Sequence, residues 1–285
     1  MIKHRNNLLN VVGWILFVIS VVIFSFQMGY LFISAKYQVE YIDNRLFYII
    51  NILCILFLTP VILLLVTKKI KVLSISIVVM FITANVFMLV SSNQIVKNIT
   101  SISPNWKHVL SIKENVENGE AMYYRNYYSI LARAKERLPF ETTGEFHVKW
   151  LANDIAAVTY KTKENTIQQF IGTYGERGSG GSYYYVAAEI HGHWQGENID
   201  VISDTEGITV IKDGKTELFE WNDIQQFGTL AVVLKKNNEA VWTVSLNENF
   251  EIHSDASKAT VGNISIYEAT LEKNEPIILH YSSSN

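Results

Sequence analysis

LLNVVGWILFVISVVIFSFQMGYLFI (Leu8–Ile33), LFYIINILCILFLTPVILLLV (Leu46–Val66) and VLSISIVVMFITANVFMLV (Val72–Val90) follow one another in the first third of this 285-residue chain. None of the three carries an Asp, Glu, Lys or Arg. A helix rising ~1.5 Å per residue crosses the ~30 Å hydrocarbon layer of a bilayer in ~20 residues, so each run is long enough to span. Backbone exposed to lipid must satisfy its own hydrogen bonds, which makes helix the form such runs take. Three transmembrane helices are therefore predicted within residues 1–96, and residues 97–285 are predicted to form one mostly β domain.

Ile33-Ser34-Ala35 loosely matches a small-residue cleavage site. The run before it is far longer than the ~7–15 residues of a signal-peptide core, so an uncleaved helix is expected. Orientation is read from the basic residues of the short loops. Lys3, Arg5, Lys68, Lys69 and Lys71 flank one side of the spans, while Lys36 and Arg45 on the other are offset by Glu40 and Asp43. That imbalance predicts a multi-pass protein of the cell membrane with a cytoplasmic N-terminus and an extracytoplasmic C-terminal domain.

The polar residues inside the spans are Asn10, Gln27, Asn51, Thr59, Thr83 and Asn85. A conduction path or proton relay ordinarily uses intramembrane charges, which these runs lack. Asn51 and Asn85 are instead expected to hydrogen-bond between helices, at about 0.6–2 kcal/mol each. Pro60 is expected to bend the second helix, because it has no N–H and crowds the preceding turn.

Residues 97–285 hold 17 Lys and Arg against 25 Asp and Glu, a net charge of −8. An acidic surface repels phosphate backbones, so nucleic acid is not an expected partner. The only cysteine, Cys54, lies in the second apolar run, so this domain has no disulfide. A domain of this length can rely on its hydrophobic core, and the pattern fits a Gram-positive-type bacterial envelope.

Within the domain the periodicity is that of strands. Ala240, Trp242, Val244 and Leu246 alternate with Val241, Thr243 and Ser245 as a half-buried strand would, and Phe146, Val148 and Trp150 alternate with His147 and Lys149. Asp213-Gly214 is a tight-hairpin signal, because both turn positions favour φ > 0, and Lys236-Asn237-Asn238 reads as another turn leading into the Trp242 strand. Further strands are expected at 155–160, 166–172, 182–188, 198–203, 263–271 and 277–281. Short strands separated by turns point to an antiparallel sandwich or barrel. Residues 121–138 are ambiguous: Tyr124, Tyr127, Tyr128 and Leu131 have helical spacing, while the tyrosine-rich start suits a strand.

Three groups of residues are candidates for chemistry or binding. In Glu189-Ile190-His191-Gly192-His193-Trp194, a strand would put Glu189, His191 and His193 on one face, a possible Zn²⁺ ligand set with an open water position. Gly192 and Gly196 would interrupt such a strand, and solvated histidines on an outer face are the plainer reading. No second short-spaced His or Cys pair completes the set, and folding would have to bring His147, His253 or His280 near. The glycine-dense Tyr174–Ser182 segment lacks the Gly-Lys-Ser/Thr ending of a phosphate loop and reads as a hairpin tip, with Arg177 within it as a candidate binding residue. Tyr183, Tyr184 and Tyr185, with Tyr123, Tyr124, Tyr127 and Tyr128, could line a groove for a peptide or glycan.

Trp150, Trp194, Trp221 and Trp242 are read as core. No Gly-x-Ser-x-Gly elbow is present, and Asp200, Asp204 and Glu206 sit near turns where acids are common. The sequence thus favours a non-enzymatic envelope protein, of accessory or sensor type, whose β domain binds a partner. Three spans exceed what tethering needs, so the helices are expected to dock on another membrane protein. The alternative is a metal-dependent envelope hydrolase using Glu189, His191 and His193.

Overall fold

The computed structural model describes residues 2–65, 67–128, 130–178, 183–252 and 260–282. They form two compact units, the first comprising Met1–Thr100, Ser111–Glu117 and Met122–Glu136, the second the remainder. The division does not fall at residue 97. Strands that follow the third helix belong with the helices.

The first unit begins with α1 (Ile2–Tyr37), α2 (Arg45–Leu65) and α3 (Lys68–Ile95). Their apolar stretches, Val11–Tyr37, Arg45–Leu64 and Ile70–Ile95, are each long and hydrophobic enough to cross a membrane. Side chains such as Trp14, Phe32, Val72 and Phe87 lie exposed along them, as lipid-facing residues do. Polar groups within the bundle pair between helices. The Asn51 amide donates to Asn85 Oδ1 at 3.2 Å, and Ser20 Oγ donates to the carbonyl of Cys54 at 3.1 Å. Asn85 is buried, so this bond satisfies an amide that lipid could not. α2 continues through Pro60 as one helix.

A five-stranded sheet completes this unit, in the order β1-β5-β4-β3-β2. β1 is Glu40–Tyr41, in the loop between α1 and α2; β2 is Val96–Ile102, β3 Val109–Asn115, β4 Ala121–Tyr128 and β5 Leu131–Arg137. β2 starts at the residue after α3 ends, and β1 pairs antiparallel with β5 through Glu40 opposite Ala132 and Tyr41 opposite Leu131. The ambiguous segment 121–138 is therefore two strands. Pairing partners distant in sequence decide its form over the helical spacing of its tyrosines.

The second unit is antiparallel β. β6 (Thr142–Ala152), β7 (Ile155–Thr162) and β8 (Ile167–Thr173) make a three-stranded sheet. A four-residue helix, α4 (Val186–Glu189), precedes β9 (Gly192–Gln195), β10 (Ile199–Ser203), β11 (Gly207–Lys212) and β12 (Lys215–Glu220). β13 (Ile224–Phe227), β14 (Ala231–Lys236), β15 (Glu239–Leu246), β16 (Asn263–Glu268) and β17 (Ile277–Ser282) complete the chain. These nine strands form a single sheet ordered β12-β11-β10-β9-β17-β16-β15-β14-β13. It is a nearly closed barrel: β12 approaches β14, and Lys236 meets Glu217 at 2.7 Å.

The turns follow their sequence. Asp213 and Gly214 have φ of 51° and 75°, and Asn237 and Asn238 have 51° and 65°, the left-handed pairs that two-residue hairpins require. In β10, Ile199, Val201 and Ser203 are buried while Asp200 and Ile202 are not, and Trp194, Ile208, Phe219, Val244 and Ile266 join the same core. β15 departs from the expected half-buried strand, being covered on both faces from Trp242 to Leu246. β8 packs against its second face, where Thr243 donates to Gln169 Oε1 and Gln169 in turn donates to Thr159 Oγ1 at 2.9 Å.

Two other expectations are corrected. The segment 183–188 is not a strand: 183–185 are irregular and α4 begins at Val186. Trp194 and Trp242 are buried and Trp150 is half-buried, but Trp221 is 42 % exposed. Its indole instead donates to the Thr205 carbonyl at the surface, at 2.9 Å.

Candidate functional site

The most highly constructed polar site lies in the first unit, where the α1–α2 loop meets the sheet. Alternation along β3 turns Ser111 and Lys113 to the same side, and both reach that loop. Ser111 Oγ donates to the Ile42 carbonyl at 2.6 Å. The Lys113 ammonium donates to Glu40 Oε2 at 2.7 Å, to the Tyr41 carbonyl at 2.8 Å and to Asn44 Oδ1 at 2.7 Å. All three of its N–H bonds are thereby used, and the ring of Tyr124 lies 4.2 Å from the nitrogen. The side chain is only 5 % exposed. Burial pushes its pKa down, against the opposing hydrogen bond and charge of Glu40.

The rest of the loop is held in the same manner. Asp43 pairs with the Arg45 guanidinium and accepts from Thr100 Oγ1 at 3.2 Å. Burial alone would raise the Asp43 pKa, but the hydrogen bonds and charge of Arg45, with Thr100, outweigh it and leave the carboxyl below its usual range. The Asn44 N–H donates to Asn98 Oδ1 at 3.1 Å. Tyr41 carries the network into the helices: its hydroxyl donates to Gln27 Oε1 at 2.7 Å, Gln27 donates to the Phe47 carbonyl, and the ring stacks on Tyr30 at 3.9 Å.

Beside this clasp run two adjoining cavities. One, of about 790 Å³ and mainly apolar, has a helical wall of Phe26, Gly29, Tyr30, Ile33 and Tyr37 and a facing wall from the β4–β5 hairpin, including Tyr127, Tyr128 and Leu131. The other, of about 450 Å³, is more polar and is lined by Lys36, Glu40, Tyr124 and Arg133 among others. Tyr37 and Arg133 border both. The larger volume lies within the ~300–1,000 Å³ usual for ligand pockets.

The residues singled out in the sequence are distributed elsewhere. Arg177 is a structural clasp: its guanidinium is bidentate to Asp154 at 2.6 and 2.9 Å and donates to the carbonyls of Asn247 and Leu246 at 2.7 and 3.1 Å. A contact of 3.5 Å to the Glu176 carbonyl occupies its remaining N–H. Gly175 permits the approach, because a Cβ there would come within 2.3 Å of Asp154 Oδ2. Tyr183 and Tyr185 are exposed and meet edge to face at 5.6 Å, whereas Tyr184 packs on the core and accepts a hydrogen bond from the Arg177 N–H. Residues 179–182 and His253 lie outside the described residues.

Glu189, His191 and His193 do not share a strand face. Glu189 ends α4, His191 is exposed in the following turn, and His193 stands on β9, where its Nε2 meets Asp200 at 3.3 Å. Burial pushes the Glu189 carboxyl pKa up. Among the described residues, no three His, Cys, Asp or Glu side chains are grouped so as to hold a metal ion. Of the tyrosines considered for a groove, Tyr124, Tyr127 and Tyr128 do line the paired cavities, while Tyr123 is buried. Sequence reasoning missed Lys113, Glu40 and Arg133 as site residues. Glu40 registered only as a loop charge, and its partner lies 73 positions away.

Three apolar helices carrying an antiparallel β module define the class of protein. No protein family, curated protein or solved structure matches this chain.

Arg177→Ala leaves the Asp154 carboxylate, 15 % exposed, without its partner. The expected loss is about 3–5 kcal/mol in the unfolding of the second unit, followed by tryptophan fluorescence, and a loss below ~1 kcal/mol would contradict the clasp. Tyr41 and Tyr124 give a pH prediction. Burial, reinforced for Tyr124 by the Glu40 carboxylate, pushes both phenols from 10.0 to about 12. Each holds its proton in the fold after the unfolded chain has released it, so its contribution to stability is complete below pH 10 and falls away as pH rises toward 12. Melting temperature against pH, with phenolate absorbance as the second signal, measures this; Tyr124→Phe should flatten the alkaline decline.

Proposed function

We propose that this chain is a multi-pass protein of the cell membrane that presents a β-rich binding or interaction module outside the cytoplasm, in an accessory or sensor-type role rather than a catalytic one. The observation that carries this reading is the Lys113 clasp, through which the loop between two candidate spans is built into a sheet. One helix suffices as a tether. Three helices and five strands share one compact unit here, so a change in how the helices pack alters the sheet that carries the cavities. That coupling is what a membrane protein reporting or presenting a ligand at the bilayer surface needs.

The orientation is supported by charge. Lys68 and Lys71 lie in the first turn of α3, with Lys3 and Arg5 near the N-terminus on the same side. On the opposite side the basic residues are largely neutralised, Arg45 by Asp43 and Lys113 by Glu40. The positive-inside rule then keeps the N-terminus cytoplasmic. An envelope peptide or glycan, or a second membrane protein docked against the exposed helix faces, is the partner class this reading admits.

Cys54 is the only cysteine, so Cys54→Ser gives a clean background for labelling. In intact cells, a membrane-impermeant maleimide should modify Glu272→Cys directly and Lys68→Cys only after permeabilisation. The reverse pattern would overturn the orientation, and equal labelling of both before permeabilisation would overturn the membrane-spanning reading.

A further inference from the structure

We propose that the paired cavities beside α1 hold one anionic phospholipid drawn from the surrounding bilayer, its acyl part in the larger, apolar cavity and its phosphate against Arg133 and Lys36. The proposal deepens the reading above, since it rests on the chain spanning a membrane. Phe26, Gly29, Ile33 and Tyr37 recur at three- and four-residue intervals and so form one face of the helix. That face lies in the last turns of the candidate span Val11–Tyr37, where a bilayer passes from hydrocarbon to headgroups. The cavity changes character at the same level. Lys36, Gln38 and Glu40 line the polar cavity, which Phe26 and Ile33 do not reach, and Arg133 borders both.

Arg133 supplies the independent sign of a missing partner. Its Nε is buried and has no acceptor, and its guanidinium is held 4.5 Å from the Tyr127 ring. An orphaned, charged donor is costly to bury, and an anion in the cavity would satisfy it. The one acidic side chain in the polar lining, Glu40, is already bound by Lys113 at 2.7 Å. The Lys36 ammonium, 5.2 Å from the Tyr37 ring, stands at the end of the span, where a lysine reaches toward phosphates. Tyr30, Tyr37, Tyr127 and Tyr128 supply the aromatic surfaces favoured at that depth. A glycan has no apolar part to fill the cavity beside Gly29, whereas an acyl chain, supplied by the bilayer that the span itself crosses, matches it.

Gly29 provides a direct steric test, because a Cβ there would meet nothing within 4 Å. Gly29→Leu therefore has open space for its Cβ and narrows the cavity from the helix side, and Leu favours helix more than Gly does. The full-length protein, purified in detergent and stripped of lipid, is titrated with phosphatidylglycerol and with phosphatidylcholine, and bound lipid is counted by native mass spectrometry. Both lipids offer a phosphate, but the quaternary ammonium of phosphatidylcholine is repelled by Lys36 and Arg133, so wild type should bind one phosphatidylglycerol with about tenfold preference over phosphatidylcholine. Arg133→Gln should erase the preference and Arg133→Lys should retain most of it. Gly29→Leu should abolish binding of both lipids, and glycerol phosphate without chains should not bind.

Failure of wild type to retain phosphatidylglycerol, equal affinity for the two lipids, or full binding by Gly29→Leu would each overturn the proposal. Melting of each variant in detergent identifies one that has not folded, in which case the remaining two substitutions carry the test. The titration is independent of orientation: a chain facing the opposite way would still bind, and a chain that binds no lipid could still span.

Discussion

A buried ammonium governs the first unit. Lys113 comes from a strand that follows all three helices, yet its three acceptors lie on the short loop that joins the first two. Taking an ammonium out of water costs several kcal/mol unless its hydrogen bonds are replaced in good geometry. The loop must therefore hold Glu40, Tyr41 and Asn44 in one arrangement, and the pairing of Glu40 and Tyr41 with β5 fixes two of them. From Tyr41 the constraint continues through Gln27 and Tyr30 into α1 and through Phe47 into α2. Helix packing and sheet geometry are thus one mechanical problem, and the cavities between α1 and the β4–β5 hairpin inherit their shape from it.

The second unit solves its packing differently. Its nine-stranded sheet closes on a core of aromatic and branched residues, and the three-stranded sheet covers what would otherwise be a solvent face of β15. Gln169 and Thr243 pair where the two sheets meet, so these two buried side chains satisfy one another. Arg177 spends all five N–H groups on Asp154 and on nearby carbonyls, which anchors the chain between β8 and α4. A guanidinium so engaged has nothing left to offer a ligand. The contrast with Arg133, whose Nε is buried without an acceptor, separates a structural arginine from one poised for an anion.

The spans were legible because absence of charge over ~20 residues is a constraint that lipid imposes on every position. The hairpins at Asp213-Gly214 and Asn237-Asn238 were legible because a left-handed backbone admits few residues. The strand content of 121–138 was not, since tyrosine suits either form and the deciding hydrogen bonds come from β1 and β3. The double burial of β15 was hidden for the same reason, its second cover being β8. Tyr124, Tyr127 and Tyr128 were noticed as a possible groove, but nothing local linked them to α1. Lys113 looked like any lysine, because its meaning depends on a loop about 70 residues earlier. Chemistry built from distant segments leaves little trace in local spacing.

Hydrogen exchange at the α1–α2 loop tests the clasp most directly. In the full-length protein, the Ile42 N–H is bonded to the Ile130 carbonyl at 2.8 Å and the Asn44 N–H to Asn98 Oδ1 at 3.1 Å. Lys113→Met keeps the length of the side chain and removes the charge that organises their loop. The account predicts that both amides exchange at least about tenfold faster in the variant while the centres of the three helices remain protected. Unchanged protection at Ile42 and Asn44 would contradict it.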